Sequence, residues 1–65
     1  MRKRYFTQIE FRGRVVYQSR HRSLESADAA LASAIEEHPH GVGWVFHRHR
    51  DGSRIVYRHR SGRFA

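Results

Sequence analysis

The sequence predicts an α+β domain, a two-layer sandwich in which one helix covers one face of a four-stranded antiparallel sheet, in the order ββαββ. Three observations carry that expectation. Alternating apolar and polar residues flank Arg12-Gly13, a second pair of alternating runs flanks Asp51-Gly52, and between them lies one stretch with apolar residues three and four apart. Alternation with period two belongs to strands that bury one face, and the three- and four-residue spacing belongs to one side of a helix.

The first hairpin spans Arg4 to Phe11 and Arg14 to Arg20. A two-residue loop would set Ile9 and Phe11 beside Arg14, Gln18 and Arg20, mixing core with charge. A three-residue loop with Gly13 in the left-handed conformation, or a bulge there, changes the parity. Tyr5, Thr7, Ile9 and Phe11 then share a face with Val15, Tyr17 and Ser19. The opposite face holds Arg4, Phe6, Gln8, Glu10, Arg14, Val16, Gln18 and Arg20, with Phe6 an isolated aromatic.

The helix is expected to begin at Ser23, a side chain suited to capping the first free N–H groups, with Glu25 and Asp28 near the positive end of the helix dipole. Leu24, Ala27, Leu31, Ala34, Ile35 and His38 form the buried stripe of a helix of roughly 14 residues, within the usual length. Small alanines allow close approach to Tyr5, Tyr17, Trp44, Phe46 and Tyr57. Pro39 and Gly41 end the helix.

The second hairpin is the stretch around which the chain is organised. With Asp51-Gly52 as a two-residue turn, Arg50 faces Ser53, Arg48 faces Ile55, Phe46 faces Tyr57 and Trp44 faces His59. Trp44, Phe46, Ile55 and Tyr57 then turn to the helix. Val45, His47, His49, Arg54, Val56, Arg58 and Arg60 make a cationic plate on the other side. Residues 61–65 are expected to fray, and Arg2, Lys3 and Arg4 to form a flexible basic arm.

Sixty-five residues make one domain near the lower size limit for an unaided hydrophobic core, and the absence of cysteine leaves that core without a disulfide staple. The longest apolar runs are far short of the roughly 20 residues that span a bilayer. The basic start lacks the apolar stretch of a secretion signal, so a soluble cytoplasmic protein is expected. Thirteen Lys or Arg against six Asp or Glu give a net charge of +7. None of the cations lies between Ser23 and Phe46, where four of the six acids fall, so the molecule should be electrically two-sided. With Lys3 the only lysine, twelve of the thirteen cations are Arg, whose planar fork fits phosphate and carboxylate.

These features point to a non-enzymatic domain that binds nucleic acid through phosphate contacts with weak sequence preference. The candidate donors are Arg14, Arg20, His47, His49, Arg54, Arg58 and Arg60. No helix-turn-helix, zinc-finger or ribonucleoprotein motif is present, and an acidic helix does not suit a major groove. Histidines scattered among arginines read as surface residues, so no metal or cofactor is expected. A pairing of Glu10 with His47 or His49 has nothing to set its distance, so no catalytic residue is assigned. The rival expectation is a protein-binding module that docks its basic face or a sheet edge on an acidic protein, or forms a homodimer through an edge. In size and layout the chain resembles small phage-encoded inhibitors, including certain anti-CRISPR proteins that pack a helix on an antiparallel sheet. A membrane partner is disfavoured because the amphipathic helix is acidic.

Overall fold

The computed structural model describes residues 4–65. The elements are β1 (Tyr5–Phe11), β2 (Arg14–His21), α1 (Leu24–Glu36), β3 (Val42–Arg48) and β4 (Arg54–Ser61). The strands form one antiparallel sheet in the order β2-β1-β3-β4, with the helix against one face, so the ββαββ sandwich is the fold. β2 and β4 are the edges, and the two central strands come from different hairpins. Among the described residues, no helix is long and apolar enough to cross a membrane.

Local chemistry sets the helix. The extended Ser23 caps it by accepting the Ser26 N–H at 3.1 Å, and Glu25 sits in the first turn. Ala27, Leu31, Ala34 and Ile35 are buried, as their spacing requires, and Leu24 packs against them at the edge. The helix stops at Glu37, and the chain turns through Pro39 into β3. Beyond β4 the chain, where fraying was expected, makes backbone hydrogen bonds. The Gly62 N–H donates to the Gly41 carbonyl at 2.8 Å and the Phe64 N–H to that of Pro39 at 2.7 Å, tying residues 62–65 to the loop after the helix. The expected arm residues Arg2 and Lys3 lie outside the described residues.

The core beneath the helix is built from Ile9, Val45, Ala27, Leu31, Ala34 and Ile35, with Tyr5, Tyr17 and Leu24 around it. Fully burying each of Ile9, Leu31 and Val45 contributes about 1.5–3 kcal/mol. Thr7, also fully buried, donates its hydroxyl to the Ala27 carbonyl at 2.7 Å and so fastens β1 to the helix. Gly43 pairs with Ile9 and lies under Leu31. A methyl group there would overlap Leu31 Cδ1 and come within 3.1 Å of Ile9 Cγ1.

This packing corrects the expected orientation of β3. Val45 and Gly43 face the helix, and Trp44 and Phe46 face the other way. His47 pairs with Tyr5 and also lies on the helix side. Both alternating sets of β3 contain apolar residues, so alternation alone cannot choose between them. The choice follows from size, because a helix that approaches through alanine needs small partners below it.

Both hairpins also differ from expectation in where parity changes. Arg12 and Gly13 both have positive φ, 52° and 78°, which makes a two-residue turn with Phe11 opposite Arg14. The bulge lies farther along, where Ile9 pairs with Tyr17 and Glu10 with Val15, leaving Val16 as the extra residue. Tyr17 and Ser19 thereby reach the helix side as expected, while Val15 pairs with Glu10 on the other. In the second hairpin the loop is Arg50-Asp51-Gly52, closed by the His49 N–H to the Ser53 carbonyl at 2.9 Å, with Gly52 at φ 91°. The three-residue loop shifts the register, so Arg48 opposes Arg54 and Phe46 opposes Val56. An extra residue at Tyr57 then restores the expected pairing of Trp44 with His59.

Gly43→Ala is expected to destabilise the fold by about 1–3 kcal/mol, since the fully buried Leu31 must shift to admit the methyl group; urea unfolding with unchanged slope measures it. A second outcome concerns the turn. Asp51 Oδ1 accepts from both the Ser53 hydroxyl at 2.7 Å and the Ser53 N–H at 2.9 Å. The hydroxyl bond, then the N–H bond, holds its carboxyl below the usual value of 3.8. A lowered folded-state pKa gives stability that is complete above the ordinary value and is lost as pH falls through the folded one. The melting-temperature gap between the native chain and Asp51→Ala should therefore be constant above about pH 5 and shrink on acidification below the ordinary aspartate range.

Candidate nucleic-acid interface

The open face of the sheet is a lattice of paired side chains. One row runs Arg20, Phe6, Phe46, Val56 across β2, β1, β3 and β4. The next runs Gln18, Gln8, Trp44, His59, and beside the first row Arg48 opposes Arg54. The aromatics occupy the central strands and the cations surround them.

Phe6 and Phe46 stack with centroids 5.4 Å apart and planes 13° from parallel. The Arg54 guanidinium lies over Phe46 at 4.6 Å, Arg48 lies over Phe6 at 5.4 Å and Phe46 at 6.0 Å, and Arg20 lies over Phe6 at 5.7 Å. Trp44 packs against His59 at 5.7 Å. Two arginines directly opposite across a strand pair repel. Here their attraction to the ring faces offsets the repulsion and keeps them side by side. Phe46 is only 2% exposed although no helix covers it, because neighbouring side chains form its lid.

Acidic charge is nearly absent from this face. Among the described residues the only ion pair is Arg58 Nε to Asp28 Oδ1 at 3.8 Å, on the helix side. Glu10 is the one acid of the open face, and it is held by neutral groups. Gln18 Nε2 donates to Gln8 Oε1 at 3.3 Å, and Gln8 Nε2 donates to Glu10 Oε2 at 2.9 Å. Gln8, Glu10, Trp44, Phe46, Arg54 and Val56 line a hollow of about 170 Å³ in the face.

The candidate donors named from the sequence do not form one plate. Arg20 and Arg54 lie on the open face, with Phe6 between Arg20 and the Phe46 ring. Arg58 is paired with Asp28 of the helix, and Arg60 pairs with Gly43 on that same side. Arg14 pairs with Phe11, two positions from the buried Ile9, and so also belongs to the helix side. His47 contacts Tyr5 beneath the helix layer, and His49 stands next to His47 with rings 5.0 Å apart. Arg54 and Arg58 part company because the bulge at Tyr57 breaks the alternation between them. Arg48, His59, Trp44 and Phe46 also belong to this face, which alternation in the sequence assigns to the other side. The signal that would have found them is side-chain size in β3, where glycine and valine alternate with tryptophan and phenylalanine.

No group of three or more metal-ligating side chains gathers among the described residues. Arg20, Arg48 and Arg54 are exposed guanidinium groups with no ion-pair partner among the described residues. Such groups are able to make bidentate contacts with phosphate oxygens, and the aromatic rings below them offer stacking surfaces.

Phe46→Ala should cost about 3–5 kcal/mol, a large part of a small domain's stability, while Arg48→Ala or Arg54→Ala should cost about 0.5–1 kcal/mol each. Urea denaturation of the three variants distinguishes a buried ring from its exposed lid.

Comparison with known protein families, curated proteins and solved structures yields no match to this chain.

Proposed function

We propose that this protein is a small nucleic-acid-binding domain that works through the open face of its sheet, chiefly by phosphate contacts. The single observation behind the reading is the cluster Arg20, Arg48 and Arg54, set on the Phe6–Phe46 stack with no acidic partner among the described residues. Guanidinium groups ordered over rings lose little side-chain entropy when they take up a polyanion. The acidic side chains Glu25, Asp28, Glu36 and Glu37 belong to the helix or its end, on the other layer, so the field of the molecule orients a polyanion toward the open face. Contacts to phosphate carry little sequence information, so base preference from these three residues is weak.

Salt titration with labelled oligonucleotides tests the reading. With about three phosphates neutralised, the logarithm of affinity should fall by roughly 2–3 for each tenfold rise in salt. Arg20→Glu combined with Arg54→Glu should abolish binding and leave the fold intact, whereas Arg14→Glu combined with Arg60→Glu, on the helix side, should retain most of it. Absence of binding at low salt overturns the reading, as does a flat salt slope. Nuclease-resistant retention of an acidic protein without oligonucleotide binding would instead give the face to the rival occupant, an acidic protein surface.

A further inference from the structure

The hollow beside the arginines holds features that phosphate binding does not use. It is lined by Trp44, the buried Phe46 and the exposed Arg54 and Val56. Trp44 is half-buried, so part of the indole remains accessible. Within the same hollow stands Glu10, whose carboxylate weakens attraction for a polyanion. The hydrogen-bond chain from Gln18 through Gln8 nevertheless holds it there, occupying Oε2 and leaving Oε1 as an acceptor. An oriented acceptor beside an aromatic surface, with the Arg54 guanidinium in the same lining, has the chemistry of a base-reading site.

We infer that the hollow receives one unpaired nucleobase carrying an exocyclic amino group, stacked against Trp44, with Glu10 accepting from the amino group while Arg48 and Arg54 hold the flanking phosphates. The inference rests on the nucleic-acid reading above and adds the ligand class: a single strand, preferred where an amino-bearing base (cytosine, adenine or guanine) rather than thymine or uracil occupies the hollow. Bases in a duplex keep their faces stacked on one another, so a duplex cannot place one against Trp44 without unpairing it. Thymine and uracil present a carbonyl where cytosine presents its amino group, and that carbonyl would meet the carboxylate as acceptor against acceptor.

Trp44 is the only tryptophan, so its fluorescence reports on the hollow directly. Titration of the full chain at pH 7.5 with eight-nucleotide oligo-dC, oligo-dT and oligo-rC, and with a mixed-sequence duplex, tests the inference. Quenching by oligo-dC or oligo-rC is expected, with affinity about five- to tenfold above that for oligo-dT, and no quenching by duplex. In Glu10→Ala the oligo-dC and oligo-dT affinities should converge, chiefly by a gain for oligo-dT, while circular dichroism reports an unchanged fold. Equal affinity for oligo-dC and oligo-dT in the native chain overturns the inference, and so does salt-dependent binding without any change in Trp44 emission. Both of those outcomes leave the phosphate reading standing, whereas failure of every oligonucleotide to bind removes both.

Discussion

The constraint on which the rest of the structure depends is the close contact between the helix and the two central strands. Ala27 and Ala34 on the helix, and Gly43 and Val45 on β3, are small enough for Leu31 to settle directly onto the sheet. The Thr7 hydroxyl reaches the Ala27 carbonyl only because the layers are that near. A tight inner layer has no room for large rings in β3. Trp44 and Phe46 are therefore displaced to the face that the helix leaves open, and the protein acquires an aromatic surface outside its core.

That displacement creates the surface on which the proposed binding rests. An uncovered phenylalanine pair would be an exposed apolar patch, which a single-layer covering of arginines converts into a polar one. The guanidinium groups bury the ring faces and keep their own edges toward solvent. A ligand that supplies both phosphate and a flat base satisfies the two components at once. Charge is unevenly divided between the two sides: the open face carries Arg20, Arg48 and Arg54 against Glu10, while on the other side the helix acids offset Arg14, Arg58 and Arg60.

Much of the fold is legible in the chain because it is decided locally. Ser23, the acidic first turn and the stripe from Leu24 to Ile35 specify the helix within a few residues of its observed limits. Alternation and the turn residues at Gly13 and Gly52 identify four strands. The candidate site was less legible. Arg20 and Arg54 stand on the open face, and Phe6 was placed there from the sequence, but Arg58, Arg60 and Arg14 belong to the helix side, and His47 with His49 lies there too. Each misplacement traces to one residue of parity. The extra residues at Val16 and Tyr57, and the third residue of the Arg50-Asp51-Gly52 loop, move side chains from one face to the other without leaving a distinct mark in the pattern.

By itself the sequence determined that this protein has two hairpins joined by one acidic, alanine-faced helix, because caps, turns and periodicities depend on neighbours a few positions away. Tertiary structure alone decided which side of β3 meets the helix and which arginines gather over the aromatic stack. Both alternating sets of that strand are apolar enough to be buried, and only the space left between Leu31 and the sheet selects glycine and valine for the inside.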